Sequence, residues 1–495
     1  MGFTIAEIDK VLLPYCKKTW QDAYDFAIKN FPYCEYEHAA SYADNALERE
    51  LQQGFQSLEC KLNTIPSSRG DFAFTTITFG EIPKEYTKEE REIMCLINET
   101  ILKTRLEGHG KNHVPVLFPK LVYLYSKEQH DKHKDQQEIF DLAVQCSAKC
   151  MMPDYLSIDS EWGTVSKLYK DYGVITSPMG CRAYLSPWAD PETGKYITVG
   201  RCNIGAVSLN LPFIWMEAKE SNANFFDLLE KKLQIIRGFL KKRYEYMSEQ
   251  KCSTNPLCFT QGGLYKGTKE PTDCVGDLTQ YMTASFGITA LNELTLLATG
   301  KSLLQDNCKF AIDVVKFIKA TVDAFKQEDG YLYALYGTPA ESLTGTQAKQ
   351  FKKAFGTNTV LGDIEYFSNS FHLHVSENID PFTKQDNEWC LFHLIEGGHI
   401  QYVRLENPEN LEATKTVIER GMREGFYQGV NFNALYCSDC GHSAQGSAYL
   451  KCPKCGSPNV TCISRVCGYL GYSNVNGQSR MNDAKMTEIK DRVSM

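Results

Sequence analysis

The run CISRVCGYLGYS (residues 462–473) decides the fold, because it holds a glycine in an apolar segment close to the end of the chain. Gly468 lies between Cys467 and Tyr469, and Gly471 follows three residues after Gly468. The flanking residues are too apolar for a solvated tail, so we expect the segment to be buried. A buried glycine so close to the C-terminus requires a structural element just upstream that holds the backbone in place.

Two pairs of cysteines can form that structural element. In CSDCGHSAQGSAYLKCPKCG they are Cys437, Cys440, Cys452 and Cys455, which form two C-x2-C pairs separated by eleven residues. A glycine follows each pair and permits the tight turn that aims both thiolates at one ion. Four thiolates leave no open position for substrate or water, so we predict a structural zinc ribbon. An iron site or four unligated thiols are the alternatives.

The composition narrows the class of protein. The chain has 495 residues, 43% hydrophobic and 23% charged, as in ordinary globular proteins. A net charge of −8 argues against general nucleic-acid binding, which is the other common use of a zinc ribbon. The N-terminal residues MGFTIAEIDKVLLPYC have no features of an export signal, and no apolar run reaches the ~18 residues of a membrane span. We therefore predict a cytoplasmic protein whose 19 cysteines are mostly buried thiols.

The remaining pattern predicts strands alternating with helices, which favours an α/β fold. Phe226, Leu229, Leu233, Ile236 and Leu240 are spaced for one helix face. Further helices are predicted over residues 1–62, 281–300 (with Gly300 as C-cap) and 411–425. Strands are predicted over residues 72–80, 114–125, 205–216 and 366–379. Cysteine and glycine become dense near residue 433, which predicts two domains, 1–432 and 433–495.

The segment RVCGYLG after a two-pair cysteine cluster resembles the C-terminal end of the anaerobic (class III) ribonucleotide reductase large subunit, a glycyl radical enzyme. Other segments resemble that family in the family's order: PMGCRAYL, GRCNIGAVSLNLP, LYGTPAESL, NSFHLHVSENIDPFTK and EGGHIQYVRLE. LNTIPSSRGDFAFTTITFG and LFPKLVYLYSK are also similar to family segments. The resemblance runs from about residue 40 to the C-terminus.

The resemblance implies a ten-stranded α/β barrel, incomplete at its N-terminal edge, with two loops that meet inside it. One loop carries the radical glycine, which corresponds to Gly468. The other is a finger loop around residues 176–186, in which Cys181 of MGCR corresponds to the cysteine that becomes a thiyl radical. The zinc ligands of the family match the four cysteines of the predicted ribbon. The cluster would then hold Gly468 against Cys181.

The same resemblance implies roles for three further residues. Asn203 in GRCNIG matches a residue that binds the substrate ribose, and Tyr336 and Glu341 in YGTPAE fall in a segment lining the active site. Glu341 is the candidate for proton transfer. Without the resemblance, Cys181 and Tyr336 would be core residues, and Asn203 would be an ordinary turn or strand-end residue. Other residues near the motifs, namely Cys202, Cys467, His372 and His374, are expected to be structural, with the two histidines alternating along a strand.

The implied function is the anaerobic reduction of ribonucleoside triphosphates to deoxyribonucleoside triphosphates by glycyl and thiyl radical chemistry. The implied partners are a radical S-adenosylmethionine activating enzyme, nucleoside triphosphate substrates and effectors, and a second copy of the chain in a homodimer. Two alternatives remain open at this point. One is a glycyl radical enzyme with a non-nucleotide substrate, and the other is a non-catalytic paralogue.

The chain departs from the family pattern in two ways. Residue 1 corresponds to a position after the family's N-terminal portion, which in many members carries a nucleotide-sensing cone and a second cysteine that works with formate. We therefore expect either a companion chain that supplies this portion or a truncated member, and we expect no control through a cone. Ala183 occupies a position where family members often have serine, so one substrate-side hydroxyl is absent.

Overall fold

The computed structural model describes residues 2–31, 35–66, 74–357, 359–445 and 451–494, and the chain falls into two compact units. Unit 1 comprises Met1–Ser160, Tyr402–Arg465 and Tyr469–Arg480. Unit 2 comprises Glu161–Gln401, Val466–Gly468 and Met481–Met495. The predicted domain boundary at residue 433 rests on composition and stays a prediction.

The strands are β1 (Gly2–Ile5), β2 (Phe74–Phe79), β3 (Lys120–Tyr125), β4 (Asp154–Ser157), β5 (Asn203–Asn210), β6 (Thr283–Thr289), β7 (Leu332–Gly337), β8 (Gln401–Arg404), β9 (Tyr427–Asn431), β10 (Ala434–Cys437), β11 (Ser443–Gln445), β12 (Val460–Arg465), β13 (Leu470–Val475) and β14 (Gln478–Ser479). The helices are α1 (Ile8–Asn30), α2 (Tyr36–Thr64), α3 (Lys88–Glu107), α4 (Lys127–Lys132), α5 (Lys134–Cys150), α6 (Thr164–Tyr172), α7 (Leu211–Glu220), α8 (Phe225–Glu249), α9 (Pro256–Phe259), α10 (Leu291–Thr299), α11 (Lys309–Asp329), α12 (Leu343–Phe355), α13 (Pro381–Phe392), α14 (Leu411–Arg423) and α15 (Asp483–Asp491). None of the helices in the described ranges is both long and apolar enough to cross a bilayer.

Unit 1 is built on a six-stranded sheet in the order β1-β2-β3-β4-β9-β8. Strands β1 to β4 are parallel, and β9 runs antiparallel to β4. Every residue of β3 and β4 is buried, as expected for parallel strands covered on both faces. The sheet confirms the strand predicted over 72–80 for Phe74–Phe79, whereas residues 72 and 73 lie outside the described residues. The strand predicted over 114–125 begins only at Lys120, directly after Pro119.

The helices of unit 1 follow from their capping residues and their apolar faces. Residues 1–62, predicted as helical, hold α1 and α2, with the short strand β1 ahead of them. Helix α3 begins with a capping box in which Thr87 and Glu90 exchange hydrogen bonds with the first backbone amides. Helix α14 confirms the helix predicted over 411–425.

A second, five-stranded sheet of unit 1 has the order β11-β10-β12-β13-β14 and is antiparallel throughout. It contains the predicted cysteine ribbon. Strands β12 and β13 form a hairpin in which Arg465 pairs with Leu470. The four residues between these partners include Gly468, so the candidate radical glycine lies in the connection of this hairpin.

Unit 2 is built on a three-stranded parallel sheet in the order β5-β6-β7. Helix α8 confirms the predicted apolar spacing, because Leu229, Leu233, Ile236 and Leu240 are all buried. The helix predicted over 281–300 is wrong in its first half, where β6 occupies Thr283–Thr289. The second half is helix α10, with Gly300 in the left-handed conformation as its C-cap.

Two predicted strands of unit 2 also require correction. Strand β5 ends at Asn210, whose side chain caps the following helix α7, so residues 211–216 are helical. Residues 366–379 form turns and no strand, although Phe367, Phe371 and Leu373 are buried. Their alternation of apolar and polar side chains arises from packing of an irregular segment and does not reflect strand geometry.

Candidate active site

Gly468 and Cys181, the two residues predicted to exchange a hydrogen atom, are in contact in unit 2. A methyl group built on Gly468 would lie 2.5 Å from the Cys181 carbonyl oxygen, 2.6 Å from its Cα and 2.7 Å from its Cβ. These distances are shorter than any real contact of a Cβ atom, so only glycine fits. The φ angle of Gly468 lies outside the left-handed region, and the requirement for glycine is therefore close approach.

A second thiol and a carboxylate complete a compact cluster around this contact. The sulfur of Cys467 lies 3.3 Å from the sulfur of Cys181 and 3.2 Å from Oε1 of Glu341. The two sulfurs and a carboxylate oxygen all lie within 4.8 Å of one another. Cys467 is buried, whereas Glu341 is exposed and follows the end of β7. The arrangement links the thiol pair to a group that can accept or donate a proton.

The finger loop holds Cys181 through backbone hydrogen bonds. Met179 and Ala183 bond each other in both directions, at N···O distances of 2.7 Å and 3.1 Å. Gly180, within this tight loop, has a φ of 57°, a left-handed conformation that glycine adopts without strain. The amide of Tyr184 donates to the carbonyl of Gly397 at 3.0 Å, which ties the loop to the segment EGGH. Cys181 is thus presented by an ordered turn.

The predicted residues Asn203 and Tyr336 lie on the parallel sheet beside this cluster. Asn203 begins β5, where its side-chain nitrogen donates to the hydroxyl of Ser285 on β6 at 2.7 Å. Tyr336 lies near the other end of β7, paired with Gly287 of β6. Asn203 pairs with Thr283 of β6, four residues before Gly287. The two predicted residues are therefore about 13 Å apart in the strand direction, at ~3.3 Å per residue. They would have to contact different parts of a ligand.

Gly398 connects Tyr336 to the finger loop by close packing. A methyl group on Gly398 would lie 2.4 Å from the Tyr336 ring and 2.6 Å from the carbonyl oxygen of Arg182. Its φ of 147° also favours glycine. Gly337, the residue after Tyr336, donates its amide to the Gly398 carbonyl at 2.8 Å. The second glycine of EGGH therefore fixes both Tyr336 and the residue next to Cys181.

The two histidines set aside as structural differ in their surroundings. His372 is buried, and its Nδ1 lies 3.4 Å from the carboxylate of Glu388. Burial lowers the pKa of His372 to about 4, although nearby Glu388 acts in the opposite direction. His374 is half-buried, and its Nδ1 lies 2.7 Å from the hydroxyl of Ser376. Neither histidine lies on a strand, so their predicted alternation along one is wrong.

The four cysteines of the ribbon converge as a metal site requires. The sulfurs of Cys437 and Cys455 lie 3.6 Å apart, and those of Cys440 and Cys452 lie 3.7 Å apart. Zn–S bonds of about 2.3 Å at tetrahedral angles place sulfurs about 3.8 Å apart, so the cluster fits zinc closely. All four sulfurs lie within 4.8 Å of one another. None of these four cysteines forms a disulfide with another described residue, so their sulfurs are available as ligands.

Comparison with known proteins agrees with this geometry. The family model for anaerobic ribonucleoside-triphosphate reductase matches residues 2–495. The chain belongs to this family. The anaerobic ribonucleoside-triphosphate reductase of Escherichia coli is 33% identical over 507 aligned residues, which cover 99% of this chain and 68% of the relative. Members of the family are oxidoreductases and glycyl radical enzymes.

Solved structures of anaerobic ribonucleotide reductases share the fold. One has a TM-score of 0.68 at 17% identity and covers 100% of this chain and 72% of its own. Another, from Thermotoga maritima in complex with dATP and CTP, has a TM-score of 0.66 at 17% identity and covers 95% of this chain and 72% of its own. The predicted fold class, the α/β fold of glycyl radical enzymes, is confirmed by these likenesses.

For a member of the anaerobic ribonucleoside-triphosphate reductase family, the sequence identified most of the residues that the structure brings together. The structure places Cys181, Glu341 and Gly468 close together, whereas the roles assigned to them stay predictions. Cys467 was set aside as structural, yet its sulfur lies in that cluster, and its position directly before Gly468 was the available signal. Ser285 and Gly398 carried no comparable signal, because their roles depend on partners distant in sequence.

Proposed function

We propose that this chain carries the radical step in the reduction of ribonucleoside triphosphates to deoxyribonucleoside triphosphates, with Gly468 as the radical residue and Cys181 as the thiyl residue. The observation that supports the proposal most directly is the close approach of Gly468 to Cys181. A hydrogen atom moves between two heavy atoms only when their residues are in contact, and a Cβ at position 468 would overlap atoms of Cys181.

The chemistry follows from the two residue types. An unpaired electron on the Gly468 Cα is shared with the adjacent amide nitrogen and carbonyl, and the missing side chain allows the planar geometry this requires. The Cα–H and S–H bonds are comparable in strength, so the hydrogen of Cys181 passes reversibly to Gly468. The Cys181 thiyl then takes the 3′ hydrogen of the ribose. Proton transfer by Glu341 assists loss of the 2′ hydroxyl as water.

The product requires two electrons and the return of the 3′ hydrogen from Cys181. An external reductant, either formate or a dithiol protein, supplies the electrons. Asn203 would bind the ribose, and the ring of Tyr336 would line the site. That a similar protein from Thermotoga maritima is solved with dATP and CTP supports nucleoside triphosphates as substrate and effector for this chain.

Zinc, held by Cys437, Cys440, Cys452 and Cys455, would stiffen the hairpin that contains Gly468. A radical S-adenosylmethionine enzyme would install the radical, and a homodimer and a companion chain with the family's N-terminal portion belong to the same proposal. A cytoplasmic location, in which cysteines stay reduced, belongs to the same proposal.

The decisive experiment activates the chain anaerobically, with the companion portion if one is found, and combines paramagnetic resonance with conversion of tritiated ribonucleoside triphosphate. A doublet that collapses to a singlet on labelling with deuterated glycine identifies a glycyl radical. Cys181→Ser should keep the doublet and lose turnover by at least about a thousandfold, because the radical then has no route to substrate. Cys467→Ser, the matched neighbouring thiol, should keep turnover within about tenfold.

The outcomes separate the alternatives. A doublet without nucleotide conversion, in the complete assembly, would favour a glycyl radical enzyme with another substrate. Turnover that survives Cys181→Ser would favour a non-catalytic paralogue beside an active partner. Equal losses in Cys181→Ser and Cys467→Ser would make the second thiol part of the redox chemistry.

A further inference from the structure

The cluster of Cys181, Glu341 and Cys467 has the composition of a metal site as well as that of a radical site. Its two sulfurs and one carboxylate oxygen lie within 4.8 Å of one another, and the group shares no residue with the four cysteines of the ribbon. Three protein ligands with a fourth position left for water are typical of open zinc sites, whereas four thiolates close a structural site. The cluster therefore offers a second and chemically different place for an ion.

The separations within the cluster are close to those that one zinc ion imposes. Bonds of about 2.3 Å to sulfur and about 2.0 Å to oxygen, at tetrahedral angles, place two sulfurs ~3.8 Å apart and a sulfur ~3.5 Å from an oxygen. The sulfurs of Cys181 and Cys467 are 3.3 Å apart, and the sulfur of Cys467 lies 3.2 Å from Oε1 of Glu341. The atoms need to separate by only about 0.3–0.5 Å, which small rotations of the side chains supply.

The ligand types and their exposure select the class of ion. Thiolates are soft ligands that prefer zinc and other thiophilic metals to magnesium or calcium. Glu341 is exposed and Cys181 is half-buried, so an ion can reach the sulfurs from solvent past the carboxylate. Cys467 is 3% exposed, which would shield a bound ion in part from water. The backbone hydrogen bonds between Met179 and Ala183 hold the Cys181 turn in place, so binding requires little further ordering.

We propose that the unactivated chain binds one zinc ion, or a divalent ion of the same thiophilic class, at Cys181, Glu341 and Cys467. Binding forms two metal–sulfur bonds and one metal–oxygen bond, and the two thiol protons pass to the buffer. A metal-bound thiolate has no hydrogen atom to give, so the ion would block hydrogen transfer between Cys181 and Gly468. The ion site stands on the geometry of the cluster, whereas this block of turnover rests on the proposed function.

The binding test uses the full chain, reduced and kept anaerobic. Gel filtration first removes weakly held ions and leaves the ribbon loaded with zinc, and a thiol titration establishes that no disulfide has formed. Cobalt is then titrated, because coordination by thiolate gives this ion an intense near-ultraviolet absorption that a site of oxygen ligands lacks. We expect about one further equivalent per chain with this absorption, displaced by zinc and unaffected by excess magnesium.

Matched variants assign this further equivalent to the cluster. Changes to residues that merely support a metal ligand cost about 10- to 100-fold in affinity, so loss of a direct ligand in Cys467→Ser or Glu341→Gln should weaken cobalt at least about a hundredfold. Cys258→Ser changes a half-buried thiol outside the cluster and should leave cobalt binding as it is. The absence of the further equivalent from the unaltered chain, or its survival in Cys467→Ser and Glu341→Gln, would overturn the proposal.

A second measurement tests the block of turnover. Zinc at about ten times its dissociation constant for the cluster should lower nucleotide conversion about tenfold, and a chelator that leaves the ribbon loaded should restore it. Cys467→Ser, compared with its own zinc-free turnover, should need at least about a hundredfold more zinc for the same loss. A filled site with unchanged turnover, or equal inhibition of Cys467→Ser, would overturn the block. Cobalt binding without turnover under any condition would contradict the proposed function and would still support the ion site.

Discussion

At the scale of single residues, the structure explains why position 468 must be glycine. Many glycines of the described residues have a positive φ, and a side chain there would strain the backbone. Gly468 differs, because its backbone is unstrained and its constraint is the backbone of Cys181. The absent side chain thus permits the contact with Cys181, and it would also permit the planar radical proposed at Gly468.

Gly468→Ala tests this argument. The added methyl group would lie 2.5 to 2.7 Å from three atoms of Cys181, so the two loops must separate. We expect no glycyl doublet and a loss of turnover of at least about a thousandfold, measured by paramagnetic resonance and nucleotide conversion. Gly238→Ala is the matched control, because nothing lies within 4 Å of its added methyl group and alanine favours helix α8. Turnover by Gly468→Ala near that of Gly238→Ala would contradict the contact.

At the scale of elements, the predictions that failed share a physical cause. The run TASFGIT alternates polar and apolar residues over most of its length, as a strand does, and every residue of β6 is buried. The apolar residues of the run continue into α10, and the helix prediction followed this longer pattern in place of the short alternation. Residues 366–379 were predicted as a strand although they form turns. Apolar and polar side chains alternate in this irregular, largely buried segment without strand geometry. Amphipathic helices with one solvent-exposed face, such as α8 and α14, were predictable from the spacing of their apolar residues.

The site shows the same division between local and distant information. Cys181, Glu341 and Gly468 were identified because the short motifs around them resemble a family. The roles of Ser285 and Gly398 depend on hydrogen bonds and packing across strands or loops, which the sequence does not encode locally.

A buried ion network joins β3, β4 and β12. The fully buried Lys120 lies 2.9 Å from Oδ2 of Asp154, and Arg465 lies 3.0 Å from Oδ1 of Asp154. Asp154→Asn would remove the carboxylate charge that both buried cations contact, so we expect the free energy of unfolding to fall by about 3–5 kcal/mol in urea denaturation. Asp141→Asn removes an exposed partner of Lys415 and should cost less than about 1 kcal/mol. Similar losses of unfolding free energy in both variants would show that the buried network contributes no more than an exposed ion pair.

His372 predicts acid sensitivity of the segment 366–379. Its pKa is lowered to about 4 from 6.5, chiefly by burial, so the folded chain binds fewer protons than the unfolded chain between these values. The free energy of unfolding must therefore fall as the pH drops through this window, by about 2–3 kcal/mol between pH 7 and pH 4.5.

His372→Gln should remove this contribution, so that urea denaturation at pH 7 and pH 4.5 shows a correspondingly smaller difference. At pH 4.5 the carboxylate of Glu388 is ionised in the folded chain, where its pKa is lowered to about 2, and about half ionised in the unfolded chain, so Glu388 adds a smaller pH dependence of its own. His38→Gln, on the exposed face of α2, should leave the pH dependence as it is. An unchanged difference in His372→Gln would show that His372 is not the group responsible.

At the scale of the whole molecule, the candidate cluster of Cys181, Glu341, Cys467 and Gly468 depends on segments that are far apart in the chain. Cys181, Glu341 and Gly468 come from three separate loops, and the last of these is the connection of the β12–β13 hairpin. Only the ribbon lies close to Gly468 in sequence. β12 links the four cysteines of the ribbon directly to this connection. We therefore expect the ribbon to hold the connection that contains Gly468 in one conformation.

Loss of the ribbon zinc should therefore disturb the position of Gly468, although no ligand of the ribbon zinc belongs to the candidate cluster. Cys440→Ser removes one of four ligands, so we expect zinc content below one ion per chain, faster hydrogen exchange in β10 and β12, and glycyl radical yield reduced at least about tenfold. The reason is that β12 runs directly into the connection containing Gly468, and a loosened hairpin samples many conformations. Cys274→Ser, which alters an equally exposed cysteine outside the ribbon, should retain zinc and radical yield. If Cys440→Ser lost zinc but kept full radical yield, the ribbon would be dispensable for positioning Gly468, and the rigidity of that loop would have to come from the contacts around Cys181.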